Sequence, residues 1–306
     1  MKVKQIKIDF HVTPAIERFV YVYLIETGEG CVLIDSGVAG SEEMIERAIT
    51  ESGHAPAELK AIFLTHAHPD HIGTANYFRK TYGTRIYASE GEREWIEDID
   101  LQFAQRPIPN FYSLAGASTC VDHVVKNEDH IHLADGTTIE VIGTPGHSVD
   151  EVSYRIGEVV FIGDTIPVRG DIPIFIHLDD TRHSLEVLEK LSGVETFYPA
   201  WDQIYSSELM RKKIADAKEL IDELEKNVRD VDGEIQLPEL VNQVYDRLHM
   251  PVWKTNPLFA RTVDCCKKEE IIPSRQALDD CFASEAYQKI MYGRISSVDA
   301  RALIVE

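Results

Sequence analysis

The stretch LTHAHPDHIG, residues 64–73, sets His66, His68, Asp70 and His71 within six positions, directly after the apolar run LKAIFL. Three of the chain's 12 histidines stand in this one short turn, and chance clustering is a poor account of that. Neutral imidazole and carboxylate are the usual ligands of zinc and other first-row divalent metals, and a catalytic site needs several of them converging with a position left for water. The i, i+2 spacing of His66 and His68 lets two side chains from an extended turn reach one ion, while Asp70 and His71 turn toward a neighbouring position. The fold must therefore end a buried strand at this turn and bring further ligands to it from loops elsewhere.

The surrounding pattern is α/β. Short strands run from residue 3 to 37 as VKQIKIDF, FVYVYLIET and CVLID, broken by Pro14 and by GEG, which suits antiparallel pairing. SEEMIERAITESG reads as an amphipathic helix with acids in its first turn and glycine at its end. LKAIFL is a buried strand with the histidines at its C-terminal edge, where loops usually carry function. A helix (TANYFRKTYG), a strand (TRIYAS) and an acidic helix (EGEREWIEDI) follow. Residues 100–130 show no clear period and read as a loop or irregular helices over the site, with Phe103, Phe111 and Tyr112 as core packing. HIHLADGTTIEVIG reads as a hairpin about Asp135 and Gly136, and EVSYRIGEVVFIGD as another turning at Gly157. Two similar strand and helix sets, one on each side of residue 100, suggest a duplicated layout without a close sequence repeat. Beyond Tyr205 the character turns helical in SSELMRKKIADAKELIDELEKNVRD, LPELVNQVYDRL and DDCFASEAYQKIMYG, whose charges read as a solvated face. These define a domain over residues 1–204 and a helical extension over 205–306, suited to capping the site or to forming a homodimer.

Composition removes several function classes. A formal net charge of −21 disfavours phosphate-backbone partners, because such binding is carried by lysine and arginine. No apolar stretch approaches the ~18 residues that a membrane helix needs. Cys31, Cys120, Cys265, Cys266 and Cys281 are odd in number and lack CxxC spacing, so neither a disulfide framework nor a cysteine zinc site is expected. The opening MKVKQIKIDFHV alternates like a strand and lacks a signal peptide's apolar middle, which makes the cytoplasm the expected location.

Two further motifs supply the missing ligands: His147 in the glycine-rich TPGHS after a strand, and Asp164 in FIGDT at the end of another. Together with IDSG around Asp35 and THAHPDHIG, in this order, they make the chain resemble the metallo-β-lactamase fold superfamily of hydrolases over residues 17–204. The resemblance implies an αββα sandwich, two mixed sheets flanked by helices, with metals at one sheet edge. It implies His66, His68 and His147 on a first metal, Asp70 and His71 on a second, and Asp164 bridging the two. One or two divalent ions are expected, zinc first, with iron or manganese as alternatives. Asp35 is expected to hold a ligand or loop by a hydrogen bond. The superfamily pattern also places a histidine on the second metal, after the last core strand. In this chain that stretch is FYPAWDQ, with Trp201 in the histidine's place. An indole nitrogen carries a proton and offers no lone pair, so Asp202, water or a single-metal site are the alternatives.

The resemblance implies a hydrolase in which metal-bound hydroxide attacks a small activated carbonyl substrate, a thioester ahead of a lactone. Asp70 is the catalytic residue that orients this hydroxide and moves its proton. A persulfide dioxygenase-like enzyme, with one iron on His66, His147 and Asp164, is the second reading. A degenerate binding protein without turnover is the third. The expected partner is a small molecule, with no nucleic acid and no membrane.

Overall fold

Period-two alternation builds the first sheet. In β1 (Lys2–Thr13) and β2 (Ile16–Thr27), paired antiparallel, Ile6, Ile8 and Phe10 join Val20, Val22 and Leu24 on one face, while Tyr23 and Ile25 occupy the other. The computed structural model describes residues 2–14, 16–231, 235–249 and 257–267. Across β3 (Gly30–Ile34) and β4 (Leu59–Phe63) the division continues, with Leu33 and Ile62 on the first face and Val32, Ile34, Ala61 and Phe63 on the second. Sheets buried on both sides read as continuous apolar runs, and β3 and β4 do so.

The sheet runs β1 to β6 in chain order, through β5 (Arg85–Ser89) and β6 (His123–Val125). From β3 onward its neighbours are parallel. Parallel neighbours need crossovers, and here they are helical: α1 (Glu42–Glu51) before β4, α2 (Pro69–Ile72) and α3 (Ala75–Tyr82) before β5, and α4 (Glu90–Glu97), α5 (Ile99–Gln105) and α6 (Phe111–Ala115) before β6. Residues 100–130, without a clear period in the sequence, thus contain two short helices and a short strand. Phe111 is buried in the core and Phe103 packs against it, but Tyr112 is an exposed side chain whose hydroxyl donates to Asp100.

The second sheet consists of β7 (His130–His132), β8 (Thr138–Gly143), β9 (Val152–Ile156), β10 (Val159–Gly163), β11 (Thr196–Pro199) and β12 (Tyr205–Ser206) in spatial order 12-11-10-9-8-7. It is antiparallel except for β10 with β11. Gly136 and Gly157 turn the β7–β8 and β9–β10 hairpins with positive φ, as the sequence suggested. Ile139, Val141, Val152, Tyr154, Ile156 and Phe161 of this sheet meet Tyr23, Ile25, Val32, Ile34 and Phe63 of the first in one core. The architecture is therefore two facing mixed sheets flanked by helices. Ile25→Val in this fully buried layer is expected to lower the unfolding free energy by about 1 kcal/mol, read from denaturant midpoints at unchanged m-value.

Residues 1–164 with 191–207 form one unit, and residues 165–190 group with those from 208 onward in a second. The change of composition in the sequence marks a single boundary at residue 204; the structure assigns the interior segment 165–190 to the helical unit. That segment includes α7 (Leu178–Lys190), whose Arg182 forms ion pairs with Asp222 and Glu225 of α8 (Ser207–Arg229). Helices α9 (Leu237–Arg247) and α10 (Pro257–Cys265) follow. The expected helix over DDCFASEAYQKIMYG lies outside the described residues. Among the described residues, no helix is long and apolar enough to cross a membrane.

Candidate metal centre

The chemistry-bearing residues all follow the C-terminal ends of strands: Asp35 after β3, His66 to His71 after β4, His147 after β8, Asp164 after β10 and Trp201 after β11. Asp35 is nearly fully buried and holds a positive φ of 56°, a conformation non-glycine residues rarely keep unless their surroundings fix it. Its carboxylate accepts from the Thr65 backbone N–H at 2.8 Å and from the Thr65 hydroxyl, and lies 2.9 Å from His71 Nδ1. An Nδ1–H given to Asp35 leaves the Nε2 lone pair of His71 facing the site.

His66 Nε2 and His147 Nε2 each lie 2.9 Å from His68 Nδ1, and Asp164 Oδ2 lies 3.3 Å from His147 Nε2 and 3.9 Å from His66 Nε2. One ligand atom from each of these four residues falls within 4.8 Å of all the others. Tetrahedral zinc with Zn–N of ~2.0–2.1 Å sets its donors about 3.3 Å apart, close to these separations. Burial holds His66 and His68 far below the ordinary histidine pKa, aided by neighbouring histidines and Arg106, so both are neutral and have lone pairs to give.

A second donor set adjoins the first. His71 Nε2 is 3.5 Å from Asp164 Oδ1 and 3.7 Å from Asp70 Oδ2. Among the described residues, His71 Nε2 and Asp164 Oδ1 are buried and make no well-formed hydrogen bond, a costly state for polar atoms unless a cation takes them up. Burial works to lower the His71 pKa, yet the carboxylates of Asp164, Asp35 and Asp70 outweigh it and hold it well above the usual value. The pocket thus attracts positive charge. The first set suits a divalent metal ion, and Asp70 and His71 of the six expected site residues lie beside it, next to Asp164.

Trp201 stands beside Asp164, because the Ala200 N–H donates to the Gly163 carbonyl at 2.9 Å. Its indole N–H is buried and makes no well-formed hydrogen bond. Burial works to raise the Asp164 pKa, but His71, His147 and this N–H outweigh it and hold the carboxyl below its ordinary value. Asp202 closes its own turn: Oδ1 accepts from the Gln203 backbone N–H and Oδ2 from the Tyr205 hydroxyl.

Three positioning residues escaped the sequence reading. Glu92, at the start of α4, is buried. Oε2 accepts from the Ala67 N–H at 3.0 Å, and Oε1 accepts from the Ser148 hydroxyl at 2.6 Å and the Asp150 N–H at 3.0 Å. It joins the loop carrying His66 and His68 to the loop carrying His147. Gly91 lets this junction close, since a Cβ there would stand 2.5 Å from that of Asp150. Gln102 of α5 donates to the Ala67 carbonyl at 2.6 Å. Buried Glu151 accepts from the Asp164 N–H at 2.8 Å, packed so tightly that a Cβ on Gly163 would meet its Oε1. No sequence signal separates Glu92 from Glu90 or Glu94 in the same acidic run.

The family model described as the metallo-beta-lactamase superfamily matches residues 15–200. The chain belongs to that superfamily. It is 30% identical over 152 residues to the probable metallo-hydrolase YqgX of Bacillus subtilis, covering 47% of this chain and 64% of that relative. It is 28% identical over 147 residues to the hydroxyacylglutathione hydrolase of Thiobacillus denitrificans, covering 48% of this chain and 46% of that one. The chain thus spans less than two thirds of either relative. A metallo-beta-lactamase family protein from Thermus thermophilus superposes with a TM-score of 0.67 at 19% identity, over 85% of this chain and 90% of that one. At that identity the likeness shows the superfamily fold.

Proposed function

We propose that the protein is a metal-dependent hydrolase of small activated carbonyl compounds, thioesters ahead of lactones, with zinc as the working ion. The observation that carries this reading is the pair of adjoining donor sets sharing Asp164, with His71 Nε2 and Asp164 Oδ1 buried and otherwise unsatisfied. A divalent ion held there would supply a water of pKa lowered toward ~7 and a Lewis acid for a carbonyl. The chain's own residues do the rest. His66 and His68 are presented as neutral ligands with His147 beside them, held through Thr65, Glu92 and Asp35. Asp70, at the edge of the second set, is placed to orient the attacking water, hold its proton and pass it to the leaving thiolate or alkoxide. The hydroxyacylglutathione hydrolases among the relatives support a thioester.

The mononuclear iron reading uses His66, His147 and Asp164 alone. His68 Nδ1 lies equally close to both of those histidines, which supports a four-residue set instead.

The test is thiol release from a panel of glutathione and coenzyme A thioesters, with lactones in parallel, before and after chelation. Thioester turnover that is lost on chelation and regained with zinc is expected. Oxygen uptake with a persulfide on the iron-loaded protein, without thiol release from any thioester, overturns the proposal.

A further inference from the structure

We propose that Trp201 makes the two donor sets load unequally: His66, His68, His147 and Asp164 retain one ion, while Asp70, His71 and Asp164 hold a second that exchanges readily. This rests on the metal-dependent reading above and concerns what the indole does to it.

The first set offers four side chains within 4.8 Å of one another. The second has three, one of them shared, and the indole that stands beside that shared Asp164 is a hydrogen-bond donor with no lone pair. The indole is packed on several sides. Arg18 covers its face, with the guanidinium carbon 4.4 Å from the ring centroid. Phe10 stands edge-on at 6.2 Å and Phe19 lies tilted at 6.0 Å. The backbone just before the indole is fixed at Ala200, whose N–H donates to Gly163 and whose carbonyl accepts from the Tyr21 N–H at 2.8 Å. The nearest carboxylate in sequence, Asp202, spends its oxygens on Gln203 and Tyr205. The Ala200 bond to Gly163 sets the indole beside Asp164, the group that both ions must share. Three protein donors, one of them shared with the other ion, are fewer than the first set offers, so the second ion is the one expected to leave first.

The experiment is competition between the full-length protein and a chromophoric zinc chelator, followed as zinc retained per chain, for wild type, Trp201→His and Trp201→Phe. Wild type is expected to keep one ion and surrender the second. An imidazole at 201 supplies the missing lone pair. Loss of a residue that merely orients a ligand costs 10–100-fold in metal affinity, so gaining a ligand should tighten the second site roughly tenfold or more. Trp201→Phe removes the indole without supplying a ligand, and its second site should stay within a few fold of wild type. Two equally tight ions in wild type, no gain in Trp201→His, or an equal gain in Trp201→Phe each overturns this inference and leaves the hydrolase reading standing. Retention of no ion by any variant overturns both.

Discussion

His68→Ala is expected to release the metal and to lower kcat/KM on the responsive thioester by about 10³-fold or more, some 4 kcal/mol of barrier at 1.36 kcal/mol per decade. The choice of His68 follows from its position. Its Nδ1 is the atom that both His66 Nε2 and His147 Nε2 approach at 2.9 Å, so it is the common neighbour of the first donor set. Alanine leaves two histidines and Asp164, fewer side chains than a closed site uses. Metal analysis separates this from unfolding: the variant should keep its far-ultraviolet circular dichroism, since the two hydrophobic cores are untouched, while its metal content falls. Its thermal midpoint should then respond to zinc only at the higher concentrations the second set requires, because a ligand that binds only the native state stabilises according to its occupancy. A His68→Ala protein that retained metal and turnover would show that the first site is built elsewhere.

Replacement of Glu92 ranks next. Three donors converge on this buried carboxylate, from Ala67, Ser148 and Asp150, and each loses its partner in Glu92→Ala. An orphaned buried donor costs ~1–3 kcal/mol, so the variant is expected to lose about 3 kcal/mol or more of stability. The functional effect is separate in kind. The bridged loops carry His66, His68 and His147, and loss of the bridge should weaken metal binding 10–100-fold even in the folded protein. Glu92→Gln tests the chemistry of the bridge, because only an acceptor at both oxygens fits. An amide must turn its NH2 toward one of the donors, so glutamine should rescue volume without restoring affinity. Burial pushes the Glu92 pKa up, against the downward pull of the bonds from Ser148, Asp150 and Ala67. Wild-type metal affinity in Glu92→Ala would confine its role to stability.

What the sequence makes legible is what the chain encodes locally. Alternation in FVYVYLIET carries its own two-faced burial, and Gly136 and Gly157 mark hairpins because a tight turn demands positive φ. His66, His68, Asp70 and His71 are legible because the turn after β4 delivers them together, and His147 and Asp164 because each stands in a short glycine-containing turn after a strand. Glu92 is not, since its role depends on α4 starting where the loops of two different sheets meet, a juxtaposition that no local pattern records. Glu151 is hidden for the same reason: Gly163 and Thr65 close around it only in the folded state. The grouping of residues 165–190 with the helical unit likewise arises from non-local packing, whereas the change of character after Tyr205 is compositional and visible. Asp202 is adjacent to Trp201 in sequence, but its carboxylate closes its own turn instead.

X-ray absorption at the zinc edge of the purified protein tests the central claim most directly, because it reports the metal and its ligand atoms together. The account predicts zinc surrounded by nitrogen and oxygen at ~2.0–2.1 Å, with the multiple-scattering signature of imidazoles, lost in His68→Ala. A protein that holds no zinc after loading, or one with sulfur at ~2.3 Å from its cysteines, would contradict it.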